Sequence, residues 1–264
     1  MAEAATLDSA PPTRDDKRPS LTPFGTLFGV LLKPRATFKT MRSAERGHWW
    51  LLFVLAFISL VISTAALIPL EVEAAEEALA AQQELLEDMP EAQRAQVEQT
   101  QRIMSSTAVL GGIGTATGTV GLLAGYVLRA VILFLLGIAL GGRASFKQVW
   151  RMAVWTTLPN VVRNLVSAVA VFATGGMPER GLAFMYNPAE LSAMSAFATT
   201  VLRNIDLYMV WGLALVALGV TATAQVSRLK GAISAVVYWL LTVAAAAGFA
   251  ALGQSLVQSM GFGG

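Results

Sequence analysis

The hydrophobic positions of this chain are gathered into long continuous blocks that are separated by short charged segments. The longest block covers residues 104–142, where Arg129 is the only charged side chain. A helix needs about 20 apolar residues to cross a hydrocarbon core about 30 Å thick. The block is long enough for this, and it predicts a transmembrane helix over residues 106–141.

Four further blocks have the same character. They cover residues 49–69, 152–174, 205–225 and 231–252 and contain few charges. Pro159 lies in the third of the five predicted spans, where a proline removes a backbone hydrogen bond that neighbouring hydroxyls or helices must replace. The pattern predicts an all-α integral membrane bundle of five transmembrane helices, with a kink or break in the third.

The segment before the first span is amphipathic. In residues 21–47, apolar side chains recur at helical spacing and alternate with five basic residues, Lys33, Arg35, Lys39, Arg42 and Arg46. Such a segment suits the surface of an anionic membrane, so we predict an interfacial helix. The alternative is an amphipathic helix that packs on the protein's own spans. Residues 1–20 are polar and contain two consecutive prolines, which predicts a disordered cytoplasmic tail.

Residues 70–103 differ sharply from the blocks on either side. They contain nine acidic and two basic residues and are rich in Ala, Gln and Glu, which favour helix. Pro90 interrupts the run, so we predict an acidic helical hairpin outside the membrane. Val72, Leu79 and Leu86 are spaced by seven, as in an antiparallel coiled-coil seam, although a merely solvated hairpin is an equal alternative.

The basic residues indicate the orientation. If the amino terminus is inside, 13 of the 19 Lys and Arg residues lie on the inner side, which is the usual bias of membrane proteins. We therefore predict a cytoplasmic amino terminus, and an outside location for the hairpin and for a short tail at residues 254–264. The inner basic loops would contact membrane lipids through Arg143, Lys147, Arg151, Arg228 and Lys230.

The composition limits the possible chemistry. Of all residues, 55% are hydrophobic and 14% are charged, and the chain has one histidine and no cysteine. Disulfides and thiolate metal sites need cysteine, and a ligand cluster with a pair of histidines needs a second histidine, so none of these sites can form within the chain. We expect no enzymatic activity, no metal, no cofactor and no nucleic-acid partner.

A stripe of glycines marks the second predicted span. Its members are spaced 3, 4, 3 and 4 residues apart and share one helical face: Gly111, Gly114, Gly118, Gly121 and Gly125. Small residues allow two membrane helices to approach closely. We predict that this face packs on another helix of the same chain, with a homodimer seam as the alternative.

Three charged residues fall within the predicted spans. Arg129, Arg163 and Asp206 are candidates for function because charged side chains in a bilayer are costly. We predict a salt bridge between Arg129 and Asp206, which leaves Arg163, flanked by Asn160 and Asn164, without an acidic partner. The arginines could line an internal basic pocket for a lipid phosphate or another anion, or they could bind backbone carbonyls at the Pro159 break.

Several short blocks resemble the Yip family of five-span membrane proteins. They are Lys-Pro-Arg-Ala-Thr-Phe at residues 33–38, Gly-Gly-Arg-Ala-Ser-Phe-Lys-Gln at 141–148, Thr-Leu-Pro at 157–159, Asn-Ile-Asp-Leu-Tyr-Met-Val-Trp at 204–211 and Ser-Arg-Leu-Lys at 227–230. The resemblance implies a Yip-like membrane domain over residues 48–253. The acidic hairpin at residues 70–103 is not associated with the family.

The resemblance also implies a function without catalysis. Eukaryotic members bind prenylated Rab-type GTPases and help to organise Golgi membranes, whereas some bacterial members accompany ABC exporters that have periplasmic adaptor proteins. The Ala-rich, cysteine-free composition resembles that of bacterial members, so we expect the chain in a bacterial inner membrane. We therefore expect an accessory or scaffold protein that binds a transporter or adaptor complex, or a second copy of itself. The alternative is a transporter of a small molecule, ion or lipid, or a lipid-binding protein, that uses Arg129, Arg163 and Asp206.

Overall fold

The computed structural model describes residues 21–44, 47–81, 90–177 and 179–259, and within these ranges the chain is all-α. Eleven α-helices and one short 3₁₀ helix, Gly181–Met185, form the described part of the chain. In chain order the helices are α1 (Pro23–Leu32), α2 (Pro34–Ser43), α3 (Trp49–Ala81), α4 (Glu91–Met104), α5 (Thr107–Ala139), α6 (Phe146–Trp155), α7 (Leu158–Thr174), α8 (Pro188–Ala193), α9 (Ala196–Asn204), α10 (Leu207–Ala224) and α11 (Arg228–Ser259).

Four of the described helices are long and apolar enough to cross a membrane. They are α3, α5, α10 and α11. Their positions match the predicted spans at residues 49–69, 106–141, 205–225 and 231–252, and two of the helices extend well beyond them. Helix α3 continues through Pro69 to Ala81, and α11 continues to Ser259. The predicted tail at residues 254–264 is therefore helical as far as the description reaches.

The third predicted span is divided into two helices. Helix α6 ends at Trp155 and α7 begins at Leu158, so the break falls at the two threonines that precede Pro159. The hydroxyls of Thr156 and Thr157 each donate a hydrogen bond of 2.7 Å to carbonyls in the last turn of α6. The predicted break is present. These hydroxyls bind the carbonyls of Ala153 and Val154, whereas Pro159 removes the partner of the Trp155 carbonyl, so the replacement of that bond stays a prediction. Helix α7 contains the charged Arg163, and with 17 residues it is shorter than α3, α5, α10 and α11. Its crossing of the membrane therefore stays a prediction.

The predicted basic loop at residues 143–151 is largely helix α6. Ser145 caps this helix in a reciprocal capping box with Gln148. The helix enters the middle of the bundle, where Val149, Met152 and Trp155 are buried at 2% exposure or less. It packs against α2 and against the long helices α3, α5 and α10, so this segment lies in the core of the bundle.

In the amphipathic segment at residues 21–47, α2 packs on the protein's own helices, as in the predicted alternative, whereas the interfacial location of α1 stays a prediction. Phe38 and Met41 of α2 are buried in the core against the protein's own helices. Phe24, Phe28 and Leu32 of α1 are more than half exposed, as expected for a helix whose apolar face lies in a membrane interface. Arg46, one of its predicted basic residues, lies outside the described residues.

The described parts of the predicted acidic hairpin are helical. One arm is the end of α3 and the other is α4. No residue of α4 is buried, and the helix is joined to α5 through Ser105 and Ser106. The turn at residues 82–89 lies outside the description. Because Leu86 and the side chain of Leu79 lie outside it too, the predicted coiled-coil seam stays a prediction.

Candidate functional site

Asp206 forms its salt bridge with Arg163, so the predicted pairing with Arg129 is wrong. The Nη1 of Arg163 lies 3.2 Å from the Oδ2 of Asp206, and the two side chains are 26% and 14% exposed. Asp206 is the N-cap of α10, where its Oδ1 accepts a hydrogen bond of 2.6 Å from the backbone N–H of Met209. This cap fixes the carboxylate at the start of α10, a helix that packs more extensively on α7, the helix of Arg163, than on α5.

Arg129 is held by hydroxyl groups. Its Nε donates a hydrogen bond of 2.9 Å to the hydroxyl of Tyr238, and its Nη1 donates one of 3.1 Å to Thr156 at the break before α7. The guanidinium carbon also lies 4.9 Å from the ring centroid of Tyr238, within range of a cation–π interaction. Among the described residues, no carboxylate forms a salt bridge with Arg129.

The two arginines border a pair of cavities. One has a volume of about 360 Å³ and the other about 180 Å³, and Arg129, Asn160, Arg163 and Tyr238 line both. Asn164 lines the larger cavity only. Four of the five predicted members of the intramembrane cluster thus line the larger cavity, and the fifth, Asp206, contacts Arg163. Among the described residues, no acidic one lines either cavity.

The glycine stripe has two parts with different surroundings. A methyl group placed on Gly111, Gly114 or Gly118 would lie 2.6–3.2 Å from a side chain of α3, so this part is the predicted packing face within one chain. Gly121 and Gly125 meet no atom within 4 Å, and both line the larger cavity. The absence of side chains at these two positions leaves the cavity open.

In the part of the chain that the structure describes, three buried polar atoms around the cavities have no hydrogen-bond partner. They are the Nε of Arg163, the Nε1 of Trp239 and the hydroxyl of Tyr126, which lies near Thr157 without a hydrogen bond of standard geometry. Tyr126 and Arg163 line the larger cavity and Trp239 lines the smaller one. Sequence reasoning missed both tyrosines and the tryptophan. Of these three, only Tyr126 could have been found from the sequence, because it lies three residues before Arg129 and therefore on the same face of the helix.

A further cation lies beyond the end of α7. Arg180 follows that helix in a loop and lines a third cavity of about 210 Å³, which also contacts Asn164. Partial desolvation lowers the pKa of Arg180 below its ordinary value, and the positive charge of Arg163 lowers it further. An arginine stays protonated under such conditions, so the region keeps an excess of positive charge.

The five residues of the predicted inner basic loops differ in their exposure. Arg143, Lys147, Arg228 and Lys230 are exposed, as contact with lipid headgroups requires, and the Nζ of Lys230 donates to the carbonyl of Leu140. Arg151 is only 8% exposed and donates a hydrogen bond of 2.8 Å to the carbonyl of Ala44. Its assignment to the lipid-facing group is corrected, because the burial of α6 carries its side chain into the protein.

Comparison with known proteins gives a consistent result. The model of the Yip1 domain matches residues 28–250 of the chain. The membrane protein YknW of Bacillus subtilis (strain 168) is 25% identical over 223 residues, which cover 83% of this chain and 87% of that protein. No solved structure matches the chain significantly.

Proposed function

Because this chain belongs to the Yip1 domain family, we propose that it is a non-enzymatic accessory protein that crosses the membrane five times and docks on an ABC exporter and its adaptor. In this arrangement α7 is the additional span beside α3, α5, α10 and α11. The amino terminus lies in the cytoplasm of a bacterial cell and the acidic hairpin lies outside. The apolar surfaces of the long helices face lipid or a neighbouring membrane protein.

The observation that carries this proposal is the length of the hairpin arms. At 1.5 Å per residue, the 33 residues of α3 reach about 50 Å, whereas the hydrocarbon core is about 30 Å thick. The last turns of α3 therefore extend beyond the membrane, together with α4. Helix α4 buries none of its residues, although Val97 and Met104 on one of its faces are apolar. Such a projecting helix supports a role in binding another protein.

The charge of the hairpin indicates the character of the partner surface. Nine acidic residues against two basic ones make residues 70–102 strongly negative. A basic surface on the adaptor would complement this charge, mainly by accelerating association and by excluding acidic surfaces. Salt at a concentration that shortens the Debye length to about 3 Å, near 1 M, should weaken the complex.

The orientation can be tested with single cysteines, because the natural chain has none. We expect a membrane-impermeant maleimide to label Gln99→Cys in intact cells, since this residue is exposed on the proposed outer hairpin. The matched variant Lys147→Cys, exposed on the proposed inner side, should be labelled only after the cells are permeabilised. The reverse labelling pattern would exclude the proposed topology.

Partner binding can be tested by crosslinking and purification in mild detergent. We expect the wild-type chain to retrieve an ABC exporter subunit or its adaptor, identified by mass spectrometry. The variant Val97→Asp/Met104→Asp, altered on one face of α4, should retrieve severalfold less. The control Ala95→Asp/Gln99→Asp adds the same charge on the opposite face and should retain the partner. Retrieval of neither component by the wild-type chain would contradict the proposal.

A further inference from the structure

The cavities beside Arg129 and Arg163 present hydrogen-bond donors without matching acceptors. The Nε of Arg163 and the Nε1 of Trp239 can only donate, and both are buried without a partner. The hydroxyl of Tyr126 can donate into the same region. Leaving such groups unpaired in a low-dielectric interior costs free energy, so the surroundings favour a molecule that supplies several acceptor oxygens.

The charge of the site points to the same kind of molecule. Among the described residues, Arg129 is bound by two hydroxyls and by no carboxylate, and Asp206 is the one carboxylate that pairs with Arg163. No acidic residue within the described ranges lines either cavity, and Arg180 adds positive charge beyond the end of α7. A cation in the membrane is stabilised by pairing, so the excess charge favours an anion.

The shape of the larger cavity leaves room for that anion. Its volume is about 360 Å³, and Gly121 and Gly125 keep one wall free of side chains. Arginine guanidinium groups match the oxygens of a phosphate in a planar, paired geometry.

We propose that this cavity is a binding site for a phosphate group, with Arg163 and Arg129 as its charged contacts and Tyr126 as a further donor. Trp239 contributes from the smaller cavity. The phosphate could belong to the headgroup of an anionic lipid or to free phosphate, since both present the same oxygens. The site does not depend on the proposed accessory function, because it is internal to the membrane bundle and none of its residues lies in the hairpin at residues 70–103.

The first test measures binding to the full-length chain purified in detergent. Native mass spectrometry during stepwise addition of phosphatidylglycerol, with diglucosyldiacylglycerol as the neutral, phosphate-free competitor, reports on the lipid source. Calorimetric titration with inorganic phosphate reports on the free anion. Tighter binding of phosphatidylglycerol than of the phosphate-free lipid, or saturable binding of phosphate, supports the site and identifies its source. If neither anion binds, the proposal is overturned.

The second test removes the site in two independent ways. The variant Arg163→Gln/Asp206→Asn deletes a salt bridge as a neutral unit and should weaken anion binding about tenfold or more, as expected for a charge-assisted hydrogen bond. The variant Gly125→Leu fills the cavity without changing a charge and should do the same. Its control, Gly112→Leu, lies on the same helix in open space and lines neither cavity. Equal anion affinity in all four proteins would refute the assignment.

A third variant separates binding from a purely structural role. Asp206→Asn frees Arg163 from its competing carboxylate and keeps a good N-cap residue for α10. We expect this variant to bind phosphatidylglycerol or phosphate severalfold more tightly than the wild-type chain, even if it is less stable. Unchanged or weaker binding would show that Arg163 does not face the anion, and it would count against the proposal.

Discussion

The salt bridge between Arg163 and Asp206 allows a quantitative test of how the bundle is held together. At a separation of 3.2 Å and an effective dielectric constant of about 20, the attraction is about 5 kcal/mol, and desolvation of the two ions offsets much of it. We therefore expect a net coupling energy of about 1–3 kcal/mol. Asp206→Asn should destabilise the protein because it leaves Arg163 charged and unpaired in the membrane.

A double-mutant cycle measures this coupling. The four proteins are the wild type, Arg163→Gln, Asp206→Asn and the double variant, each unfolded in mixed micelles of dodecyl maltoside and sodium dodecyl sulfate and followed by circular dichroism. The double variant should be less destabilised than the sum of the single variants. A parallel cycle of Arg129→Gln with Asp206→Asn should give a coupling near zero, because Arg129 binds Tyr238 and Thr156 instead.

The comparison of the two cycles decides between the two possible pairings. Additive effects in the Arg163 cycle, within about 0.3–0.5 kcal/mol, would refute the observed salt bridge. Strong coupling in the Arg129 cycle would restore the pairing that the sequence suggested. Asp206→Ala provides an internal control, since it also removes the cap on Met209 and should cost about 1 kcal/mol more than Asp206→Asn.

Two further predictions concern the packing around the same helices. Gly118→Ala should destabilise the protein by about 1–2 kcal/mol in the same unfolding assay, because the new methyl group would lie 2.6 Å from Leu60. Leu60→Ala should relieve much of that cost. Gly112→Ala, in open space, should be neutral or stabilising by up to about 1 kcal/mol, because Ala favours helix more than Gly does. Equal effects at both glycines would contradict close packing of α3 on α5. Tyr238→Phe should cost about 0.5–1.5 kcal/mol, because it removes the hydroxyl bound to Arg129 but keeps the ring. No change in stability for Tyr238→Phe would show that the hydrogen bond is exchanged for water.

The positions of four long helices could be predicted from the sequence because an apolar block of sufficient length has few alternatives in a bilayer. The break before Pro159 could be predicted as well, since proline affects only its own turn. These features depend on local sequence. The division of residues 21–47 into an exposed helix and a buried one could not be predicted, because it depends on how α2 packs against α10 and α6.

The wrong partner for Asp206 has a similar cause. Counting residues along a helix gives the depth of Arg129 and Asp206, but it does not give the rotation of one helix relative to another. The partner of Arg129, Tyr238, lies 109 residues away, and no local pattern links the two. Arg151 shows the same limit, since its charge suggested a loop at the lipid surface and the packing of α6 buries it.

The blocks that resemble the Yip family share a structural role. Gly141 has a φ of +81° at the end of α5, the block at residues 141–148 continues into the capping box of α6, and the block at 157–159 contains the break before α7. The block at 204–211 contains the N-cap and salt bridge of Asp206. Each block therefore lies where a helix begins or ends and where one residue type is required, whereas apolar residues on a lipid-facing surface can replace each other. A family signal of this kind specifies the fold. It does not specify the partner, so features that select a particular partner are expected outside these blocks, and the acidic hairpin is the largest charged segment that meets this condition.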